Sequence, residues 1–168
     1  MNPFWFEATY LLETLVMKAA GQDEDGMDLY FTHGPIKVKG GKSKSEFVGA
    51  MNNKSARPMN EVRTDMRASL GELLSGYIGE AKISGSKTRK LTIIVLTDGK
   101  WEGMGDKDDV RKLVVKFVGK VKELIGDLES RPVSIEFIQF GDDADATYRL
   151  RQLDNGLKWD GIELVSPT

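Results

Sequence analysis

Asp98 is the first residue in this sequence whose type and position could do chemistry. It closes the run Leu91 to Gly99, Leu-Thr-Ile-Ile-Val-Leu-Thr-Asp-Gly, which holds no charge until the aspartate. A short apolar, β-branched run stopped by Asp-Gly predicts a strand buried on both faces. A carboxylate at the carboxyl end of such a strand stands in the crevice where open α/β sheets bind ligands. Asp-Gly is equally a common turn pair, and as such would only reverse the chain.

Other residues offer less. Asp142, Asp143 and Asp145 form an acidic cluster that could hold a cation, although acids at a helix start ordinarily offset the helix dipole. His33 is the only histidine and there is no cysteine, so a His pair for zinc, thiolate metal sites and thiol catalysis are excluded. The glycines at 40–41 and 103–105 match neither phosphate-binding pattern, GxxxxGK[ST] or GxGxxG. Trp101 and Met104 lie in the segment after Asp98, where they either contact a partner or tuck under the loop.

These residues need a scaffold, and the chain predicts one. At 168 residues it reads as a single domain, 1–168, large enough to bury roughly 70% of its unfolded surface. A net charge of −2 argues against a nucleic-acid binder. Glu7 and Glu13 interrupt the apolar start, which speaks against a signal peptide or a membrane span and favours a cytoplasmic protein.

Asn2-Pro3 opens a helix with Phe4, Ala8, Leu11, Leu12, Leu15 and Ala19 on one face, ended by Gly21 to Gly26. Strands follow at 27–32 and, as an exposed edge, 36–39; a short helix covers 47–51. A helical stripe runs from Thr64 through Ile78, and 79–90 reads as a flexible connection into the strand at Leu91. Asp106 is placed to cap a long helix bearing Val110, Leu113, Val114, Phe117, Val118, Val121, Ile125 and Leu128. Val133 to Phe140 is a strand, the last helix turns Ala146, Leu150 and Leu153 inward, and 162–165 adds a terminal strand. This alternation predicts an α/β fold: three layers, Rossmann-like, with a largely parallel sheet and helices on both faces.

The order of these pieces resembles a von Willebrand factor type A domain of the divergent intracellular kind. The resemblance rests on the opening Trp-Phe-Glu-Ala helix, Asp25 to Phe31, Leu96-Thr97-Asp98-Gly99, and Val133 to Gly141 followed by Arg149-Leu150. It implies a metal-ion-dependent adhesion site built by three loops, where Mg²⁺ is held by hydroxyls, carboxylates and waters. An acidic side chain of a protein partner would complete the coordination. Asp98 matches the aspartate of the third loop and Thr64 the threonine of the second. A helix N-cap is the other role open to Thr64.

The first loop, Asp-x-Ser-x-Ser, does not occur in the chain, and the first strand of the family's sheet is absent with it. The expectation is that the natural chain begins earlier; otherwise another chain donates the strand, or the remaining strands close the gap. The resemblance therefore implies a non-catalytic protein-binding domain with an incomplete metal site, binding Mg²⁺ weakly or not at all on its own. One alternative is a divalent-cation-dependent hydrolase or phosphotransferase using Asp98 with Asp142 and Asp143. Another is a scaffold domain without metal.

Overall fold

The computed structural model describes residues 2–19, 25–34, 37–55, 63–106, 108–156, 158–159 and 162–163. It is a mixed α/β structure whose chain divides into two compact units, Met1–Arg63 and Thr64–Thr168. The helix stop expected at Gly21 to Glu24 lies outside the described residues, as do Ile36, Leu164 and Val165.

In the first unit a 3₁₀ turn over Asn2–Phe4 leads into α1, Trp5–Ala19, which buries Ala8, Leu12 and Val16 at helical spacing. Strand β1, Met27–Tyr30, pairs antiparallel with β2, Lys37–Gly41. Helix α2, Lys44–Ser55, is longer than its apolar residues imply. At its start Glu46 reaches back to Ser43, the reverse half of a capping box. The Glu46 carboxylate accepts from the Ser43 hydroxyl at 2.8 Å and from the Ser43 N–H at 2.9 Å, which holds its pKa below the ordinary value. The Trp5 ring stacks on Phe31, with centroids 6.1 Å apart, and its indole N–H donates to the Met51 carbonyl at 3.3 Å. One side chain thus ties α1 to α2 and to the residue after β1.

The second unit holds the run that begins at Leu91. Helix α3 spans Met66–Ser84 and therefore includes residues expected in a flexible connection. The reason is visible in its buried stripe: Ala81 extends the series Leu70, Leu74 and Tyr77 by one more turn. Gly85, at φ +54, then ends the helix, and a 3₁₀ turn over Gly85–Lys87 follows. Strand β3, Leu91–Thr97, pairs in parallel with β4, Val133–Gln139, in the register Leu91 to Val133 through Thr97 to Gln139. Between them runs α4, Asp109–Ile125, and after them α5, Ala144–Gly156. Strands β5, Lys158–Trp159, and β6, Ile162–Glu163, form a small antiparallel pair.

One core serves this unit. Val110, Val114, Phe117, Val118 and Val121 of α4 meet Met66, Leu70, Leu74 and Tyr77 of α3, with Leu153 of α5. Leu91, Ile93 and Val95 of β3 and Val133, Ile135 and Phe137 of β4 join from the sheet. The Tyr77 ring meets Phe117 edge-on, and its hydroxyl donates to the Pro132 carbonyl at 3.3 Å. Thr92, Ile94 and Leu96 occupy the opposite face of β3; Thr92 is exposed and the two aliphatic residues are half-buried. The strand is therefore not buried on both faces as a run of this composition predicts. Among the described residues the strands form three separate pairs, of which only β3–β4 is parallel. No helix among them is long and apolar enough to cross a membrane.

Candidate functional site

The loop at the carboxyl end of β3 is built around Thr97, a buried residue whose hydroxyl oxygen accepts two hydrogen bonds. One comes from the Gly99 N–H at 3.0 Å and the other from the Trp101 indole N–H at 3.1 Å. Trp101 is 4% exposed, so it tucks beneath the loop and is not a surface contact. Its ring lies 5.9 Å from Phe137 and carries the Arg149 guanidinium above it at 5.5 Å. Arg149 also donates to the Gly99 carbonyl. Met104, the other large apolar residue of the loop, packs half-buried against the core.

Asp98 is half-buried at the turn, and its Oδ1 accepts from the Lys100 N–H at 3.1 Å. This is an Asx turn, in which the side chain substitutes for a backbone acceptor. The local turn role and an outward carboxylate are compatible, because one carboxylate has about four acceptor positions.

Thr64 comes to the same end of the sheet. Its carbonyl accepts from the Gly103 N–H at 3.0 Å, which joins the segment before α3 to the loop after β3. The capping role open to Thr64 belongs instead to Asp65, whose Oδ1 accepts from the Ala68 N–H at 2.9 Å. The fold thus brings together the two segments that carry Thr64 and Asp98, linked through backbone.

Of the acidic cluster, Asp143 is engaged in structure. Asp143 caps α5, its Oδ1 accepting from the Ala146 N–H at 3.0 Å, and its Oδ2 pairs with Lys100 Nζ at 3.3 Å. The Ala146 N–H, and after it Lys100, hold the Asp143 carboxyl below its ordinary pKa. A carboxyl whose pKa is depressed by folding stabilises the fold above its unfolded pKa and loses that contribution as pH falls through its folded value. Asp143→Asn therefore lowers Tm at neutral pH, and its gap to the wild type closes as pH drops below the usual carboxylate range. Thermal melts of both proteins from pH 7 to pH 2 check this.

Asp106 is likewise held low, first by its hydrogen bond from Lys112. It accepts from the Asp108 N–H at 2.9 Å, just ahead of α4. His33 serves local structure in the first unit, with Nε2 at 3.0 Å from the Arg63 carbonyl and its own carbonyl accepting from Lys54.

Lys100 and Thr97 carry no signal in the sequence. The partners of Lys100 are set by the approach of α5 to the loop, which no local spacing announces. Thr97 reads as one more β-branched strand residue, and only its burial beside Gly99 and Trp101 shows its structural use.

Mg²⁺ asks for about six oxygen donors in near-octahedral geometry. Thr64 and Asp98 offer at most two side chains, and Asp143 is drawn to Lys100 and the α5 terminus. Among the described residues, no three of His, Cys, Asp and Glu come together as a metal site. Thr64 and Asp98 by themselves supply only part of such a donor set. No family model, curated protein or solved structure matches the chain.

Proposed function

We propose that this chain is a non-catalytic protein-binding domain, with a von Willebrand type A-like arrangement of β3, β4 and their helices. The binding surface is the carboxyl end of β3, from Thr64 to the loop Asp98–Met104. The observation that carries this reading is the bracing of that loop. Thr97, Trp101 and Arg149 hold it from beneath, while half-buried Asp98 and exposed Lys100 stand at its surface. A loop fixed before its partner arrives loses less conformational entropy on binding. The named residues of the loop include no Ser, Cys or His nucleophile–base pair of the kind covalent catalysis needs.

Asp98→Asn is the informative variant, because the amide keeps an oxygen for the Lys100 N–H and removes the charge. Peptides selected from a displayed random library on the wild-type chain lose at least about tenfold in affinity for Asp98→Asn, some 1.4 kcal/mol. Unchanged affinity places the binding surface elsewhere. Calorimetric titration of the chain alone with Mg²⁺ shows no saturable micromolar binding. A micromolar affinity that Asp98→Asn abolishes overturns the reading of an incomplete metal site.

A further inference from the structure

Helices α3 and α4 both end where the chain turns into β3 and β4, so their last turns meet at the amino end of that strand pair. The 3₁₀ turn after α3 lies against the end of α4: a Cβ built on Gly85 would sit 4.0 Å from the Leu124 carbonyl oxygen. The Thr88 hydroxyl donates to the Gly85 carbonyl at 2.7 Å and fixes the turn. The Leu91 N–H donates to the Pro132 carbonyl at 2.9 Å, which sets Lys90 beside Pro132 and brings Arg131 near it. This end of the unit therefore gathers Lys82, Lys87, Lys90 and Arg131, all exposed. Arg89 lies among them and is engaged within the chain.

The balance of charge here is positive. Over 79–90 and 126–131 these five cations stand against three carboxylates, Glu80, Asp127 and Glu129, in a chain whose net charge is −2. Asp127 is tied to the Glu129 N–H at 2.8 Å, and Lys122 and Glu123, in the last turn of α4, add no net charge. Offsetting the helix dipole accounts for Lys82, in the last turn of α3. It does not account for Lys87, Lys90 and Arg131, which lie outside both helices. Two further features mark the same place. Ile83 is 89% exposed, and it stands about 200° around α3 from Ala81, away from the helix's own buried stripe. Arg131 adopts φ +49, in the left-handed region where glycine rests without strain. Backbone strain held at one residue points to function, and the residue held there is a cation.

We propose that this end of the second unit is a peripheral contact for an anionic phospholipid bilayer. Ile83 enters the interface, and Lys82, Lys87, Lys90 and Arg131 meet the headgroups. A projecting aliphatic side chain among cations suits a bilayer, which yields to it, whereas a peptide partner would have to supply a recess. Nucleic acid is disfavoured, since 79–90 and 126–131 hold no aromatic residue on which a base could stack. A few cations and one aliphatic side chain are each weak anchors. Together they give a reversible attachment that salt releases. Strand β3 has seven residues and spans roughly 23 Å, so contact at its amino end leaves the loop at Asp98 clear of the surface.

Flotation of the full chain with vesicles is the test. The chain floats with vesicles of phosphatidylcholine mixed with phosphatidylserine, stays behind with phosphatidylcholine alone, and is released by added salt. Lys87→Gln and Lys90→Gln each weaken vesicle binding about fivefold. Ile83→Ser weakens it about tenfold at unchanged charge, which a purely ionic contact would not show. Arg131→Gly is the most discriminating variant. It weakens vesicle binding about fivefold and raises the urea midpoint, because the strained φ is relieved while the cation is lost. A purely structural role for Arg131 would leave vesicle binding unmoved. Equal binding to both kinds of vesicle overturns the proposal. So does binding that these substitutions leave intact, which places the contact elsewhere, as in the basic run Lys37 to Lys44 of the first unit. Binding to soluble polyglutamate as tight as to vesicles, with Ile83→Ser silent, assigns the patch to an acidic protein and overturns it too. No residue of the Asp98 loop is altered, so the peptide-affinity result stands or falls separately.

Discussion

Gly99→Ala destabilises the second unit by about 2–5 kcal/mol, the sum of backbone strain and overpacking at one position. Gly99 sits at φ +73, in the left-handed region that side chains rarely occupy. A Cβ there would lie 2.5 Å from the Cβ of Ala146 and 3.2 Å from its Cα. The obstruction is a buried residue of α5 and its backbone, so relief requires the helix to move. That helix supplies Arg149 and, just before its first turn, Asp143, and the shift strains the Arg149 contact to the Gly99 carbonyl and the Lys100–Asp143 ion pair.

Urea unfolding measures the loss as a lower midpoint with an unchanged slope. Gly76→Ala is the control from the same unit. Gly76 lies within α3, where an added Cβ meets no atom within 4 Å, so alanine there stabilises by about 0.5–1 kcal/mol through helix propensity. Opposite signs for one chemical change distinguish a tertiary requirement from a general effect of removing glycine.

Trp101→Ala costs about 3–5 kcal/mol, in the range of large aromatic truncations in cores. The ring is 4% exposed, contacts Phe137, supports the Arg149 guanidinium and donates to Thr97. Trp101→Phe separates these contributions. It keeps most of the apolar volume and loses the indole N–H, at about 0.5–1.5 kcal/mol for the hydrogen bond to Thr97 plus the cavity. Combining Trp101→Phe with Thr97→Val leaves no partner for that bond to lose, so the two costs are less than additive. The measured coupling reports the buried Thr97–Trp101 interaction. A loss below about 1 kcal/mol for Trp101→Ala would show that the loop is not braced from beneath.

Helix and strand identities were legible because they depend on local pattern. Most of the α4 stripe reappears as its buried face, from Val110 to Val121, although the helix stops at Ile125, short of Leu128. The uncharged run at Leu91 becomes β3. Where local pattern misled, a neighbour remote in sequence decided. Ala81 extends α3 through residues that look like a linker because the stripe continues inward, a contact that glycine and serine content conceals. Trp101 allows two readings from its sequence position, and the pairing of its indole with Thr97 selects one.

Asp98 stands at the end of β3 by sequence logic alone: an apolar run must stop, and Asp-Gly stops it. What else the loop needs came from tertiary structure. The Thr64 carbonyl reaches Gly103, Arg149 reaches Gly99, and Lys100 reaches Asp143. Each joins residues tens of positions apart, where no periodicity links the partners. Composition and spacing determine which segments become helix or strand, because those preferences act between near neighbours. Which segments meet around Asp98 is decided by packing α3, α4 and α5 against one face of β3 and β4, since only burial rewards contacts so distant along the chain.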